Sequence, residues 1–265
     1  MTRQELQVEE VTNPQDLMTF IRFPWEIYKG DPYWVPPLIK DQLLKFSPSH
    51  PFRSHSQMIL FLAYRGGKIV GRIAGIIDHH YVEFHQEKVG FFGFFESIPD
   101  AEVTGILLSS VADWLKGHGM EKMAGPMNPS TNDECGLLIE GFDAPPCLMM
   151  PYNPPYYPSL LEGFGLKKAM DLYAYWLEQS FFHLDRLDRV TERLKKRKPL
   201  LWVRPLKLRD FNHELQIIKE IYNQAWSKNW GFVPLTEEEI NLLAKELKSL
   251  VVPDLILFAY WGEEP

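Results

Sequence analysis

The sequence predicts an α/β fold: a mixed β-sheet flanked by helices, duplicated, with the second copy truncated. Three observations predict it. Two β-rich runs, Met58–Tyr64 and Lys68–Ile77, flank Arg65-Gly66-Gly67, which sits in a hairpin-turn position. Strand-like and helix-like segments then alternate, the pattern of helices packed on the faces of a sheet. Finally, a set of short segments recurs in the same order far downstream.

The first strand is read over Leu6–Val11. Asn13 and Pro14 suit the N-cap and first position of a helix carrying Leu17, Phe20, Ile21 and Trp25 at helical spacing. Asp31–Leu38 is extended, because each proline restrains the residue before it. A short helix follows near Leu38–Phe46, and then the hairpin. Val89–Glu96 is a third strand of the hairpin region. Pro99 and Asp100 open a helix whose apolar stripe runs through Val103, Leu107, Val111, Trp114 and Leu115, and Gly117 and Gly119 end it. Lys122–Gly125 is a short strand, and 128–151 is a long irregular stretch of the kind that is usually functional. A helix over Pro155–Glu162 stops at Gly163, and Ala169–Gln179 reads as a last strand.

The repeat sets the domain boundaries. Ala63-Tyr64 returns as Ala259-Tyr260 at an offset of 196, Pro37-Leu38 as Pro234-Leu235 at 197, and Glu26-Ile27-Tyr28 as Glu220-Ile221-Tyr222 at 194. This gives a first domain over 1–180, a basic linker over 181–200, and the incomplete start of a second domain over 201–265. The second half is expected to run as a strand near Leu201–Leu206, a helix near His213–Trp226, a helix capped by Thr236 with Glu239, and a strand over Leu255–Trp261.

Composition excludes several classes. With 45% hydrophobic and 24% charged residues the chain is not broadly disordered. A net charge of -7 argues against a nucleic-acid partner. The charge is uneven, however: Arg186–Arg209 holds ten Lys/Arg against Asp188 and Glu192, a balance of +8, which leaves -15 for the rest. That stretch reads as a solvated linker helix, and it also admits peripheral contact with an anionic membrane face. Cys135 and Cys147 lack metal-ligand spacing, and metal binding by His79, His80 and His85 would need clearer spacing plus a carboxylate partner, so no metal is expected. The N-terminus has no apolar signal core and the longest apolar run, Met58–Tyr64, is too short to span a bilayer; a cytoplasmic location is expected.

Tyr156–Leu166 resembles the late helix and strand of GNAT N-acyltransferases, and Lys68-Ile69-Val70-Gly71-Arg72 is similar to their early hairpin. More narrowly, Asp31–Leu38, Asn128–Asp133 and Met150–Asn153 resemble the bacterial ceramide-synthase-like family. The resemblance implies a GNAT-like fold and an N-acyltransferase that uses acyl-CoA as co-substrate, with no bound cofactor. The amine it implies is a sphingoid or other lipid amine, or a small molecule. The sequence departs from the GNAT pattern at Ser97–Gly105, which lacks the paired glycines of a pyrophosphate loop and carries Asp100 and Glu102 instead. The first domain is therefore not expected to hold CoA in the usual way, and a non-catalytic ligand-binding or regulatory module stands as the alternative.

Asn128, Ser130, Thr131, Asn132, Asp133 and Glu134 form a polar cluster directly after a strand, where ligands of α/β sheets sit, and Asn128, Ser130, Asn132 and Asp133 are taken as substrate-binding. They serve equally well as loop-stabilising groups. Glu134 or Asp133 fits the base that deprotonates an attacking amine, with Glu134 taken as catalytic. Tyr152, Tyr156 and Tyr157 lie where the resemblance places a tyrosine that protonates the leaving thiolate, and Tyr157 is taken for that role. Tyr152 and Asn153 join the substrate-binding set.

Overall fold

In a computed structural model of the protein, residues 5–178, 184–248 and 251–263 are described. The chain divides into two compact units, Met1–Met170 with Trp230–Val233, and Asp171–Asn229 with Pro234–Pro265.

The first unit is built on a five-stranded sheet of order β1-β2-β3-β4-β5. Its strands are β1 (Leu6–Glu10), β2 (Ser56–Arg65), β3 (Lys68–Asp78), β4 (Val89–Ser97) and β5 (Lys122–Ala124). The first four pair antiparallel and β4 pairs β5 in parallel, so the sheet is mixed. The hairpin turns at Gly66 and Gly67, both at positive φ, as a two-residue turn requires. Helices connect the strands: α1 (Pro14–Arg22), α2 (Pro24–Ile27) and α3 (Ile39–Lys45) between β1 and β2, α4 (His79–His85) between β3 and β4, and α5 (Ala101–Gly117) between β4 and β5. Asn13 Oδ1 accepts from the Gln15 and Asp16 N–H groups, which satisfies donors that α1 cannot use internally.

Both faces of the sheet are covered. On one, Ile73, Ile77, Phe92 and Phe95 meet Val103, Leu107, Val111 and Leu115 of α5. On the other, Leu62, Ile76, Phe91 and Phe94 pack with Phe20 and Phe52. Burying each such side chain contributes roughly 1.5–3 kcal/mol. Contact with α5 is close because Gly71, Gly75 and Gly90 line the sheet: a Cβ at Gly71 would meet Leu107 at 2.6 Å, and one at Gly90 would meet Leu115 at 2.2 Å.

Beyond Phe91 and Ala124 the parallel pairing ends. Phe94 adopts φ 48°, and the β3–β4 register shifts between Arg72 and Ala74, so β4 carries a bulge. The parting is filled by β6 (Met127–Asn128), which pairs with β7 (Glu134–Cys135). The irregular stretch from residue 128 thus contains a short ladder. Helix α6 (Tyr157–Phe164) then ends at Gly165, φ 111°. Gly165, not Gly163, supplies the left-handed cap.

Two expectations are corrected. Ala169–Leu177 form no strand: 167–178 run irregularly and largely exposed, and Gln179 lies outside the described residues. A strand needs partners for its N–H and C=O groups, and no described strand pairs with this segment. His79–His85 form α4, whose first turn is capped where Asp78 Oδ1 accepts the His80 N–H. Arg204, within the basic stretch, does not lie free in solvent.

In the second unit, α7 (Leu184–Arg197) precedes β8 (Leu201–Pro205), α8 (Phe211–Ala225), α9 (Glu237–Leu247) and β9 (Leu257–Trp261). The order strand, helix, helix, strand over Leu201–Trp261 is the one expected, and β8 pairs antiparallel with β9. Thr236 and Glu239 form the reciprocal capping box of α9. Leu206, Ile217, Phe258 and Tyr260 form the core. Arg204 donates to the buried Glu214 and to Tyr260 Oη, and lies over the Phe258 ring. Residues 181–183 of the basic linker and 264–265 at the end of the second half lie outside the described residues.

Candidate active site

The polar cluster after β5 is assembled by the β6–β7 ladder, which sets Asn128 opposite Glu134. Asn128 Oδ1 accepts the Phe94 N–H at 2.6 Å, so the side chain closes the bulge of β4 and fixes the cluster to the sheet. Lys45, in the last turn of α3, donates to Asn128 O at 3.1 Å and to Asp133 Oδ1 at 3.3 Å. Ser130 Oγ donates to Asp133 Oδ2 at 2.9 Å and accepts from the Asn132 N–H at 3.1 Å. Asn132 Nδ2 donates to Val233 O at 3.1 Å. Five expected site residues therefore come together, with Lys45 added.

Glu134 reaches solvent at the edge of this group. Its carboxyl is nonetheless held above the usual carboxylate range, first by desolvation and then by the Asp133 charge, with Lys45 and a hydrogen bond from Asn128 opposing. A carboxylate raised in this way is a better proton acceptor from an ammonium group. In the same loop, Thr131 Oγ1 is buried without a hydrogen-bond partner. Buried hydroxyls are nearly always bonded, so this atom suits a substrate acceptor.

The other expected residues lie in loop anchors and the core. Tyr152 Oη donates to both oxygens of Asp31 at 2.9–3.0 Å, and its pKa is pushed up to about 12, first by desolvation and then by Asp31. Asn153 bonds the Leu138 N–H and O, tying the loop to itself. Tyr157 is buried; its hydroxyl donates to Glu96 Oε2 at 2.6 Å and accepts from the Ser97 N–H at 3.0 Å. Tyr156 donates to Ser97 O, and burial raises it to about 12.

Glu96 and Arg72, which sequence reasoning passed over, form a second polar centre. Arg72 Nη1 donates to Phe20 O at 2.7 Å, and Arg72 Nη2 lies 3.7 Å from Glu96 Oε1. Burial raises the Glu96 carboxyl and lowers Arg72, each partly countered by the other. The available signal was a lone acid ending the apolar run Phe91–Phe95. Lys45 and Asp31 left no comparable signal.

At the N-terminus of α5, Asp100 accepts from the Glu102 and Val103 N–H groups, and Arg65 donates to Asp100 at 2.6 Å and to Glu102 at 2.9 Å. The helix end is occupied by the chain's own carboxylate. Among the described residues, no group of three or more His, Cys, Asp or Glu is placed to hold a metal ion. No described helix is long and apolar enough to cross a membrane.

Protein YghO of Escherichia coli (strain K12) is 37% identical to this chain over 259 residues, which are 97% of the chain and 66% of YghO. A protein of Caulobacter vibrioides (strain NA1000 / CB15N) named bacterial ceramide synthase is 36% identical over 261 residues, 97% of the chain and 67% of that protein. The chain belongs to the bacterial ceramide synthase family. It spans about two thirds of the length of these family members. No protein-family model matches it. Among solved structures, aminoglycoside N-acetyltransferase AAC(6')-Iy in complex with CoA is 15% identical, with a TM-score of 0.42 over 67% of this chain and 98% of that one. For this member of the ceramide synthase family, the groups that α3, β6 and β7 bring together are the site to be explained.

Proposed function

We propose that the protein is an acyl-CoA-dependent N-acyltransferase acting on a sphingoid or other lipid amine. Family membership supports the reaction class, since one relative is named a ceramide synthase. The observation that carries the assignment of the site is Glu134, solvent-accessible and raised, beside the Lys45–Asp133–Ser130 network. Glu134 takes a proton from the ammonium form of the substrate. The free amine nitrogen attacks the thioester carbonyl; as the tetrahedral intermediate collapses the C–S bond breaks, and the second proton lost from nitrogen goes to the departing thiolate, leaving the amide and the free thiol. In this reading Thr131 Oγ1 and Asn132 orient the amine. Tyr157 holds Glu96 and so positions α6 against β4. The CoA pyrophosphate is held away from the α5 N-terminus, where Asp100 already sits.

The duplicated architecture is part of this reading. Val8 pairs with Ala63 and Val203 pairs with Ala259, positions offset by 195 and 196, which supports the second copy as a repeat of the first.

The reading is tested by thiol release. The protein, mixed with long-chain acyl-CoA and a long-chain amino alcohol, should release thiol and form the amide, and Glu134→Gln should abolish both. Amide formation unchanged in that variant would remove Glu134 from the site. A second reading, a non-catalytic binding module, is favoured by the capped α5 N-terminus alone. It would be supported by amine binding without thiol release.

A further inference from the structure

We infer that α7 is a membrane-docking helix that seats the protein on an anionic lipid surface. In α7, Leu187, Val190 and Leu194 recur at i, i+3 and i+7 and form one stripe. A globular helix buries such a stripe. Here Leu187 is 50% exposed, Val190 46% and Leu194 44%. The helix is otherwise strongly polar, the combination that distinguishes interfacial helices from core helices.

The borders of the stripe carry the charge. Arg193 and Arg197 lie along one side and Lys195 along the other, with Lys196 and Lys198 close by in the same terminal region. On that second side Asp188 lies next to Lys195 and Glu192 pairs with Lys195 at 3.2 Å, so the uncompensated charge beside the stripe is that of Arg193 and Arg197. Cations beside an apolar stripe match a layer of anionic headgroups over acyl chains, and each contributes on the order of 1 kcal/mol near such a surface. The rest of the chain is acidic, so the attraction is confined to this region.

A second observation points the same way. In the same unit, Tyr173, Tyr175 and Trp176 are 76–80% exposed, with Leu172 and Leu177 beside them. Tyrosine and tryptophan side chains favour the membrane–water boundary, where the ring is buried and the polar edge hydrated. A water-soluble partner would need a groove to receive the α7 stripe, whereas a bilayer needs only the stripe, its cationic borders and the aromatics. Docking would also bring the protein to the surface where a long-chain amine resides.

The test is co-sedimentation with vesicles of phosphatidylcholine alone or mixed equally with phosphatidylglycerol. The protein should sediment with the mixed vesicles at low salt, release as salt is raised, and stay in solution with phosphatidylcholine alone. The triple variant Lys195→Gln, Lys196→Gln, Arg197→Gln should reduce partitioning on the order of a hundredfold. Leu187→Asp with Leu194→Asp should abolish it while leaving the circular dichroism of the protein unchanged. Absence of sedimentation with anionic vesicles would overturn the inference, as would binding that neither variant weakens. Light scattering that shows a dimer dissociated by the leucine variants would assign the stripe to a second copy instead. The assay reads no chemistry, so its failure leaves the acyl-transfer reading standing.

Discussion

The side-chain oxygen of Asn128 accepts the backbone N–H of Phe94 at 2.6 Å, inside the bulge where β4 and β5 part. One hydrogen bond thereby ties the cluster carrying Glu134 to the central sheet. It also leaves Asn128 Oδ1 committed to the main chain. Asn128→Ala should leave a buried N–H without its partner and cost about 1–3 kcal/mol, measured by urea denaturation. Its larger effect should be on turnover, because the Asn128–Glu134 ladder loses its anchor. Full activity in a destabilised Asn128→Ala would separate the ladder from the site.

The pH dependence of amide formation should follow Glu134. The base works ionised, so the rate rises with pH through its raised pKa and falls on acidification. Lys45 lowers that pKa, so Lys45→Met should move the acid limb to higher pH; Asp133 raises it, so Asp133→Asn should move the limb lower. Profiles of kcat/KM for the three proteins check both directions. Limbs that coincide would show that another group titrates.

Removing Glu96 should be costly. Glu96→Ala leaves Arg72 as an uncompensated buried cation and frees the Tyr157 hydroxyl, a change of about 3–5 kcal/mol. Glu96→Gln should be milder and should change the pH response. Because the folded carboxyl is raised, wild-type stability declines as pH rises from the ordinary carboxylate range through the folded value. The Gln variant should lack that decline, and thermal melts across this window would show it.

Glu214 predicts the opposite slope in the second unit. Arg204 holds its carboxyl below the ordinary range, so this pair's stabilisation is present above that range and is lost as pH falls through the folded value. Glu214→Gln should flatten the acid-side loss. An unchanged acid transition would mean that other carboxylates govern it.

CoA titrated calorimetrically into these 265 residues should give no micromolar binding isotherm, because Asp100 and Glu102 occupy the α5 N-terminus with Arg65. A micromolar isotherm that vanishes on substitution at this end would refute that placement.

The legible features were local ones. The Gly66-Gly67 turn, the Asn13 and Asp100 caps and the Thr236–Glu239 box depend on neighbours within a few residues, and each appears where its residues suggest. The clustering of Asn128 to Glu134 was legible for the same reason. Lys45 was not, because 83 positions separate it from its bond to Asn128. The role expected of Tyr157 came from position along the chain, whereas burial against Phe95 and Glu96 depends on how α6 meets β4. Residues 169–177 show the converse: β-like composition does not make a strand without an edge to pair with.

Gly71, Gly75 and Gly90 let α5 rest almost directly on the main chain of β3 and β4. With α5 seated against these glycines and interlocked with Ile73, Ile77, Phe92 and Phe95 around them, helix and sheet cannot slide past one another in small steps. Amide hydrogens of β3, β4 and α5 should then exchange only by global opening, as one cooperative block. Opening of this unit short of that global event is then expected in the segment beyond β6, not between α5 and the sheet.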